Sequence, residues 1–253
     1  MRIGCVKYLN ARPLIHGWRD PVTLDHPSAL CRLLAAGELD IALVSSFEFL
    51  RHPIYRIVDN VSIASDGPVY SVVVAYRDQP LFSDVELDPA SQTSVALLSY
   101  LMAERGKEFR SWEITGDLLG PINEDRGRLL IGDQAIRFRQ KFGDAYQYWD
   151  LGAEWKRCAG VPFVYALWLV RPGVAGDSTL GRDLRALRDA NLQNIGAVIA
   201  AQSEFDPAFC RRYYGQNLRF SLGDREKEGL LKFANICAKL NLIQKGDLKL
   251  ELI

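Results

Sequence analysis

The sequence predicts an α/β fold made of two lobes, with mixed, mostly parallel sheets and a ligand cleft between the lobes. Strand and helix signals alternate through the first hundred residues, as they do in parallel βαβ units. Two long apolar runs, 69–76 and 162–170, suit strands that cross from one lobe to the other. The chain contains no internal repeat, low-complexity stretch or flexible linker, so we expect structured crossings to join the lobes.

The N-terminal βαβ unit is predicted by local signals. Residues 3–8 form a short apolar run that suits a buried strand. Residues 27–36 predict a helix, because Pro27 suits the first helical position, leucines recur at helical spacing and Gly37 is a natural stop. The next apolar run, 40–44, predicts a strand parallel to the first.

The remaining elements predict the division into lobes. Residues 62–64 and 69–76 are rich in strand formers, and Gly106 and Gly143 end predicted helices. Beyond 162–170 the chain is mainly helical, and Ser221 with Asp224 resembles a capping box before the last helix. This order predicts one lobe from residues 1–75 plus 170–253, and an inserted lobe from residues 76–169.

Composition and charge exclude several classes of protein. The 253 residues carry 31 basic and 31 acidic side chains, a formal net charge of +0, whereas general nucleic-acid and membrane-surface binders need a basic excess. The chain starts with a strand and not with an apolar leader, and its five cysteines lack the spacing of a disulfide framework or a zinc site. We therefore expect a cytoplasmic protein with reduced thiols and without nucleic-acid or membrane partners.

Small polar clusters follow nearly every predicted strand. In open parallel sheets a ligand lies beyond the carboxyl ends of the strands. Hydroxyls and the free N–H groups of helix starts suit carboxylates there. These clusters supply the candidate binding residues, which are Asn10, Ser45, Ser46, Gly67, Val69, Tyr70, Ser71, Ser91, Gln92, Thr93, Ser94, Gly132 and Asp133.

Each cluster also has a purely structural interpretation. Residues 91–94 contain more polar side chains than a helix N-cap needs, and we weigh capping and binding evenly. Ser45 could simply meet solvent at a strand end, Gly67 could form only a turn, and Asp133 could cap the following helix. Ser71 favours a ligand-facing role, because it interrupts an apolar strand and its hydroxyl needs a partner.

Motifs for metal and cofactor chemistry are missing from the sequence. The three histidines have no metal-ligand spacing. The chain has no Gly-x-Gly-x-x-Gly, Walker or Gly-x-Ser-x-Gly motif. We therefore expect neither a metal nor a cofactor.

Seven segments, spread over nearly the whole chain, carry recognisable motifs. They are 8–14 (YLNARPL), 62–71 (SIASDGPVYS), 87–94 (LDPASQTS), 130–135 (LIGDQA), 150–155 (DLGAEW), 160–168 (GVPFVYALW) and 225–230 (REKEGL). Together and in this order they resemble one family, the chorismate dehydratases of the futalosine route to menaquinone. The resemblance implies a fold similar to type II periplasmic binding proteins. It also implies a carbon–oxygen lyase that removes water from the dianion chorismate, giving 3-[(1-carboxyvinyl)oxy]benzoate without a cofactor.

The resemblance leaves the catalytic machinery and some alternatives open. The sequence has no obvious general base, so we hypothesise that the substrate's enolpyruvyl carboxylate takes the proton while Asn10 and Ser71 orient the reacting groups. Asp133 is the rival base, and Arg12 is interpreted as a surface charge. Two other functions fit the same fold, a solute-binding protein and the sister 1,4-dihydroxy-6-naphthoate synthase. A homodimer stays open.

Overall fold

A computed structural model describes residues 1–77, 83–88, 91–114, 116–123, 125–175, 177–246 and 248–253. The strands are β1 (Ile3–Val6), β2 (Val22–Asp25), β3 (Ile41–Ser45), β4 (Arg56–Ser65), β5 (Val72–Tyr76), β6 (Asp84–Leu87), β7 (Arg110–Glu113), β8 (Arg126–Ile131), β9 (Gln147–Asp150) and β10 (Phe163–Val170). The α-helices are α1 (Pro27–Ala35), α2 (Ser46–Arg51), α3 (Gln92–Glu104), α4 (Gly132–Phe142), α5 (Leu151–Ala159), α6 (Asp177–Gln193), α7 (Ile195–Ala200), α8 (Pro207–Arg212) and α9 (Asp224–Lys239).

Two five-stranded sheets confirm the predicted α/β class. The first has the order β2-β1-β3-β10-β4 and the second the order β7-β6-β8-β5-β9. In each sheet two strand pairs are parallel and two are antiparallel. Parallel strand pairs are fewer than the sequence predicts, because β10 and β5 each run antiparallel to both of their neighbours.

The N-terminal prediction holds in its main lines and differs at the end of the first strand. β1 and β3 are parallel and α1 connects them, as the sequence predicts. The strand ends at Val6, however, and a 3-10 helix spans Leu9–Leu14. This early end turns Asn10 away from the sheet and into the space above it, where it lines the cleft described below.

Each of the two apolar runs belongs to a single sheet. The chain reaches the second sheet through residues 66–71 and returns to the first through α5. The predicted boundaries assign 72–75 to the first lobe and 163–169 to the second, whereas β5 pairs in the second sheet and β10 in the first. Both strands are almost entirely buried, so their hydrophobicity alone does not select a sheet. The wider division into lobes stays a prediction.

Asp150 ties the two crossings together. As the N-cap of α5 it accepts the Ala153 N–H at 2.9 Å, and it also accepts the Tyr70 N–H at 2.8 Å and the Val69 N–H at 3.1 Å. These bonds hold Tyr70 at φ 67, a conformation that a bulky residue rarely adopts. The outgoing crossing is thereby fixed just before Ser71.

One apolar core extends through both sheets. Trp155 and Trp168 are fully buried within it. The last helix is capped differently from the prediction, since Gly223 is the N-cap and its N–H donates to Glu226 Oε2 at 3.0 Å. Among the described helices, none combines the length and apolar composition needed to cross a bilayer.

Candidate active site

A cleft lies between the two sheets, where the carboxyl ends of strands from both lobes meet. It contains about 600 Å³ of empty space, part of it open to solvent. Its walls include the 3-10 helix, β3, the crossing 66–71, β10 and the starts of α3 and α4. Among the described residues, no side chain that lines it carries a formal charge.

Most of the candidate residues named from the sequence meet in this cleft. Those that line it are Asn10, Ser45, Val69, Ser71, Ser91, Gln92, Thr93, Ser94 and Gly132. They come from segments far apart in the chain, and it is the strand-end position they share that brings them together. Their individual roles stay predictions.

The start of α3 offers unused donors to the cleft. Ser91 is the N-cap, yet its side chain makes no capping hydrogen bond, and its buried Oγ has no partner within the described part of the chain. The Val95 N–H bonds to the Ser91 carbonyl and closes the first turn. The N–H groups of Gln92, Thr93 and Ser94 therefore have no acceptor within the helix, and they lie at the positive end of the helix dipole. This arrangement suits an anion better than simple capping does.

A hydroxyl pair joins the two walls. Ser45 Oγ, at the end of β3, is hydrogen-bonded to Thr93 Oγ1 in the first turn of α3. The Phe47 N–H also approaches Thr93 Oγ1, at 3.4 Å. Both side chains line the cleft, so this hydrogen bond links β3 to α3 within the cleft lining.

Asn10 and Ser71 contribute two further polar side chains to the lining. Asn10 Oδ1 is buried and has no hydrogen-bond partner among the described residues. Ser71 is fully buried, and its Oγ accepts a hydrogen bond from the Tyr213 hydroxyl at 2.6 Å. A buried acceptor without a partner costs roughly 1–3 kcal/mol. A ligand in the cleft would satisfy Asn10 and remove that cost.

Gly132 lets the backbone of α4 approach the cleft closely. Its φ is +53, and a Cβ atom there would come within 2.9 Å of the Tyr8 ring. Its N–H donates to the Ser71 carbonyl at 2.8 Å. Only glycine satisfies both the backbone conformation and the contact.

Four candidates lie outside the cleft lining, and for each the structure gives a local reason. Ser46 is buried and its Oγ donates to the Val164 carbonyl at 2.7 Å. The Gly67 carbonyl accepts from Ser65 Oγ at 3.0 Å. Tyr70 packs against Phe209 with ring centroids 5.2 Å apart.

Asp133 is the fourth of these candidates. Its Oδ1 accepts the Leu9 N–H at 2.7 Å, so the carboxylate of α4 anchors the 3-10 helix of the other wall. Burial raises the pKa of Asp133 to about 6, a rise that the Leu9 N–H opposes and that Glu204 reinforces. The position is that of a structural link and not of a proton acceptor facing the cleft.

Sequence reasoning missed several residues of the site. Tyr8, Pro27, Tyr165 and Leu218 also line the cleft, and Tyr213 contacts Ser71 from behind it. Tyr8 stands next to the Asn10 cluster and was recoverable as a strand-end residue. Tyr213 lies 142 positions from Ser71 in a helical segment, so local sequence carries no signal for it.

Comparisons with known proteins agree with this architecture. A structure from Archaeoglobus fulgidus superposes with a TM-score of 0.73 at 16% identity, covering 96% of this chain and 98% of that one. The periplasmic aliphatic sulphonate binding protein of Escherichia coli superposes with a TM-score of 0.64 at 11% identity, covering 99% and 89%. At these identities the likeness establishes the fold, which is that of the periplasmic binding proteins.

Sequence comparison identifies the family. A protein of Thermus thermophilus named chorismate dehydratase is 31% identical over 255 residues, covering 92% of this chain and 93% of its own. The family model described as menaquinone biosynthesis matches residues 1–239. The chain therefore belongs to the menaquinone biosynthesis family.

Proposed function

We propose that this protein is a hydro-lyase that eliminates water from chorismate to give 3-[(1-carboxyvinyl)oxy]benzoate for menaquinone biosynthesis. The observation that carries the proposal is a cleft lined by neutral hydrogen-bond donors and acceptors, in a chain 31% identical to a chorismate dehydratase over 92% of its length. The cytoplasmic location and the oligomeric state stay predictions.

The start of α3 is the proposed carboxylate site. An anion at a helix N-terminus gains from the free N–H groups and from the dipole. Ser91 Oγ, buried and without a partner among the described residues, adds a hydroxyl to the same place. Thr93 is already engaged with Ser45, and Gln92 Oε1 accepts a hydrogen bond from Arg51 at 3.4 Å. The hydroxyls of Ser91 and Ser94 and the amide nitrogen of Gln92 are left to contact the substrate.

The reaction needs a proton acceptor, and we assign that role to the substrate's enolpyruvyl carboxylate. The ring C–H bond breaks, its proton moves to this carboxylate, and its electron pair forms the new ring double bond. The neighbouring C–O bond breaks, and the leaving hydroxide takes the proton from the enolpyruvyl carboxylic acid, which returns to its carboxylate form. Proton and hydroxide leave together as one water molecule, the ring becomes aromatic, and no oxidant or cofactor is needed.

Asn10 and Ser71 are the proposed catalytic residues. Ser71 would donate a hydrogen bond to the departing hydroxyl, and Asn10 would orient the enolpyruvyl carboxylate. General acid–base assistance is worth about 10²–10⁴-fold, so a carboxylate held beside the C–H bond can supply it. The remaining contribution of the protein is orientation and the exclusion of water.

Asp133 is not the base in this proposal. Its Oδ1 is engaged by the Leu9 N–H, and its side chain does not line the cleft. A carboxylate that anchors one wall to the other cannot also reach a ring C–H without breaking that link.

The test is to incubate the purified protein with chorismate, follow ultraviolet absorbance and identify the product by mass. An aromatic product lighter than chorismate by one water is expected. A protein that only binds chorismate would raise its melting temperature without forming this product. A naphthoate synthase would leave chorismate unchanged, and either result would overturn the proposal.

Two variants test the residue roles. Asn10→Ala and Ser71→Ala should each lower kcat by about 10²-fold or more, as loss of a positioned hydrogen bond to reacting groups does. Ser99→Ala is the control, because Ser99 Oγ donates only within α3, to the Val95 carbonyl at 3.0 Å. Near-normal turnover in both cleft variants would remove these assignments.

A further inference from the structure

Tyr213 lies outside the cleft lining and contacts Ser71, one of the two proposed catalytic residues. It begins a π-helical turn, Tyr213–Asn217, that follows α8, and such turns are rare and frequent at functional sites. Its side chain is fully buried. The ring stacks on Phe209 at a centroid distance of 5.6 Å and an interplanar angle of 13°, which holds the hydroxyl in place.

The direction of the Tyr213–Ser71 hydrogen bond determines what Ser71 can do. The Tyr213 hydroxyl is the donor, and Ser71 Oγ accepts at 2.6 Å. A serine hydroxyl has a single proton, and no described protein atom accepts the proton of Ser71. That proton is therefore available to a group in the cleft. Donation into Ser71 Oγ also polarises the hydroxyl and makes it a better donor.

Burial also keeps Tyr213 protonated. It raises the pKa of the Tyr213 hydroxyl far above its ordinary value, so the hydroxyl retains the proton that it donates to Ser71.

We propose that Tyr213 is a positioning residue of the dehydration: its hydroxyl orients Ser71 as a donor to the leaving hydroxyl. This inference rests on the proposed function. It assigns the residue no contact with the substrate, since Tyr213 acts through Ser71.

The first experiment is Tyr213→Phe, which removes the hydroxyl and keeps the stacked ring. We expect kcat to fall about tenfold or more while KM for chorismate changes less than threefold, because a buried hydrogen bond orients the reacting groups after binding. Tyr146→Phe is the matched control. Tyr146 is equally buried and its hydroxyl accepts the Ile122 N–H at 2.9 Å, away from the cleft. It should lose stability without losing kcat.

A double-mutant cycle separates positioning from a general structural role. If Tyr213 acts through Ser71, adding Tyr213→Phe to Ser71→Ala should cost at most twofold more in kcat. The inference is overturned if the two single losses in kcat multiply in the double variant. It is also overturned if Tyr213→Phe keeps the wild-type kcat. If wild-type protein forms no aromatic product, it is the proposed function that fails, and the inference falls with it.

A second substitution covers the case in which the phenylalanine variant does not fold. 3,5-Difluorotyrosine at position 213 keeps the hydroxyl and the ring while strengthening its donation to Ser71. We expect an increased kcat with unchanged KM. An unchanged kcat in this folded protein would equally contradict the role of Tyr213.

Discussion

Asp133 gives the sharpest test of how the two walls are linked. Its carboxyl is partly buried and accepts the Leu9 N–H, and burial raises its pKa from 3.8 to about 6. Each pKa unit corresponds to about 1.36 kcal/mol. The charged carboxylate therefore destabilises the folded state at neutral pH by at most about 3 kcal/mol, and we expect about 1–2 kcal/mol because solvent screens part of it.

Asp133→Asn removes this charge and keeps a carbonyl oxygen for the Leu9 N–H. Because the folded pKa is raised, the folded state of the wild type binds more protons than the unfolded state between about pH 4 and 6, and its stability falls as pH rises through this window. The asparagine variant lacks that loss. It should be more stable than wild type by about 1–2 kcal/mol at pH 7.5 and equal to it below about pH 4.

Urea unfolding from pH 4 to 8 measures this difference. Asp206→Asn is the control, because exposed Asp206 accepts the Phe209 N–H at 2.8 Å and its replacement relieves no burial. An Asp133→Asn protein that is less stable at pH 7.5, or differs from wild type equally at every pH, would refute the reasoning. Turnover should be retained, whereas loss of kcat would restore Asp133 as a candidate base.

Two further changes probe the walls of the cleft. Gly132→Ala should lower the free energy of unfolding by about 1–3 kcal/mol and lower activity, because its Cβ would meet the Tyr8 ring at 2.9 Å. Gly143 is the control, because it has a similar positive φ but a Cβ there would meet nothing within 4 Å. Unfolding measurements should show a smaller loss of stability for Gly143→Ala. Gln92→Lys should lower both KM and kcat, since a cation beside the dianion tightens binding and weakens the substrate carboxylate as a base. Gln140→Lys, on the exposed face of α4, should change neither, and a higher kcat in Gln92→Lys would contradict the substrate-assisted mechanism.

Local signals predicted the elements that local interactions decide. α1 and α3 begin and end where proline, glycine and the polar cluster 91–94 indicate. β7 was missed because all four of its residues are exposed, and short polar edge strands lack an apolar run. The sheet membership of β5 and β10 was assigned wrongly because both are apolar throughout, and only pairing across the chain selects the sheet.

The site was predictable to the extent that it follows strand ends. Asn10, Ser71 and the start of α3 were found because polar residues after buried strands converge at one edge. The contact from Tyr213 was not predictable, since it depends on a helical turn packing against a distant crossing. The third block of the family resemblance is only partly visible in the structure, because 89–90 lie outside the described residues.

The described lining of the cleft is uncharged, which explains why the sequence offers no obvious general acid or general base. Arginine or lysine would bind a dianion more tightly, but it would lower the proton affinity of the carboxylate that has to act as the base. It would also stabilise bound substrate and transition state alike, which does not raise kcat. In the proposed mechanism, donors at the start of α3 hold the substrate through partial charges, and Tyr213 orients Ser71. In this proposal the catalytic contribution resides in fixed geometry, and the one carboxylate that the sequence singles out, Asp133, links α4 to the 3-10 helix and so helps to keep that geometry in place.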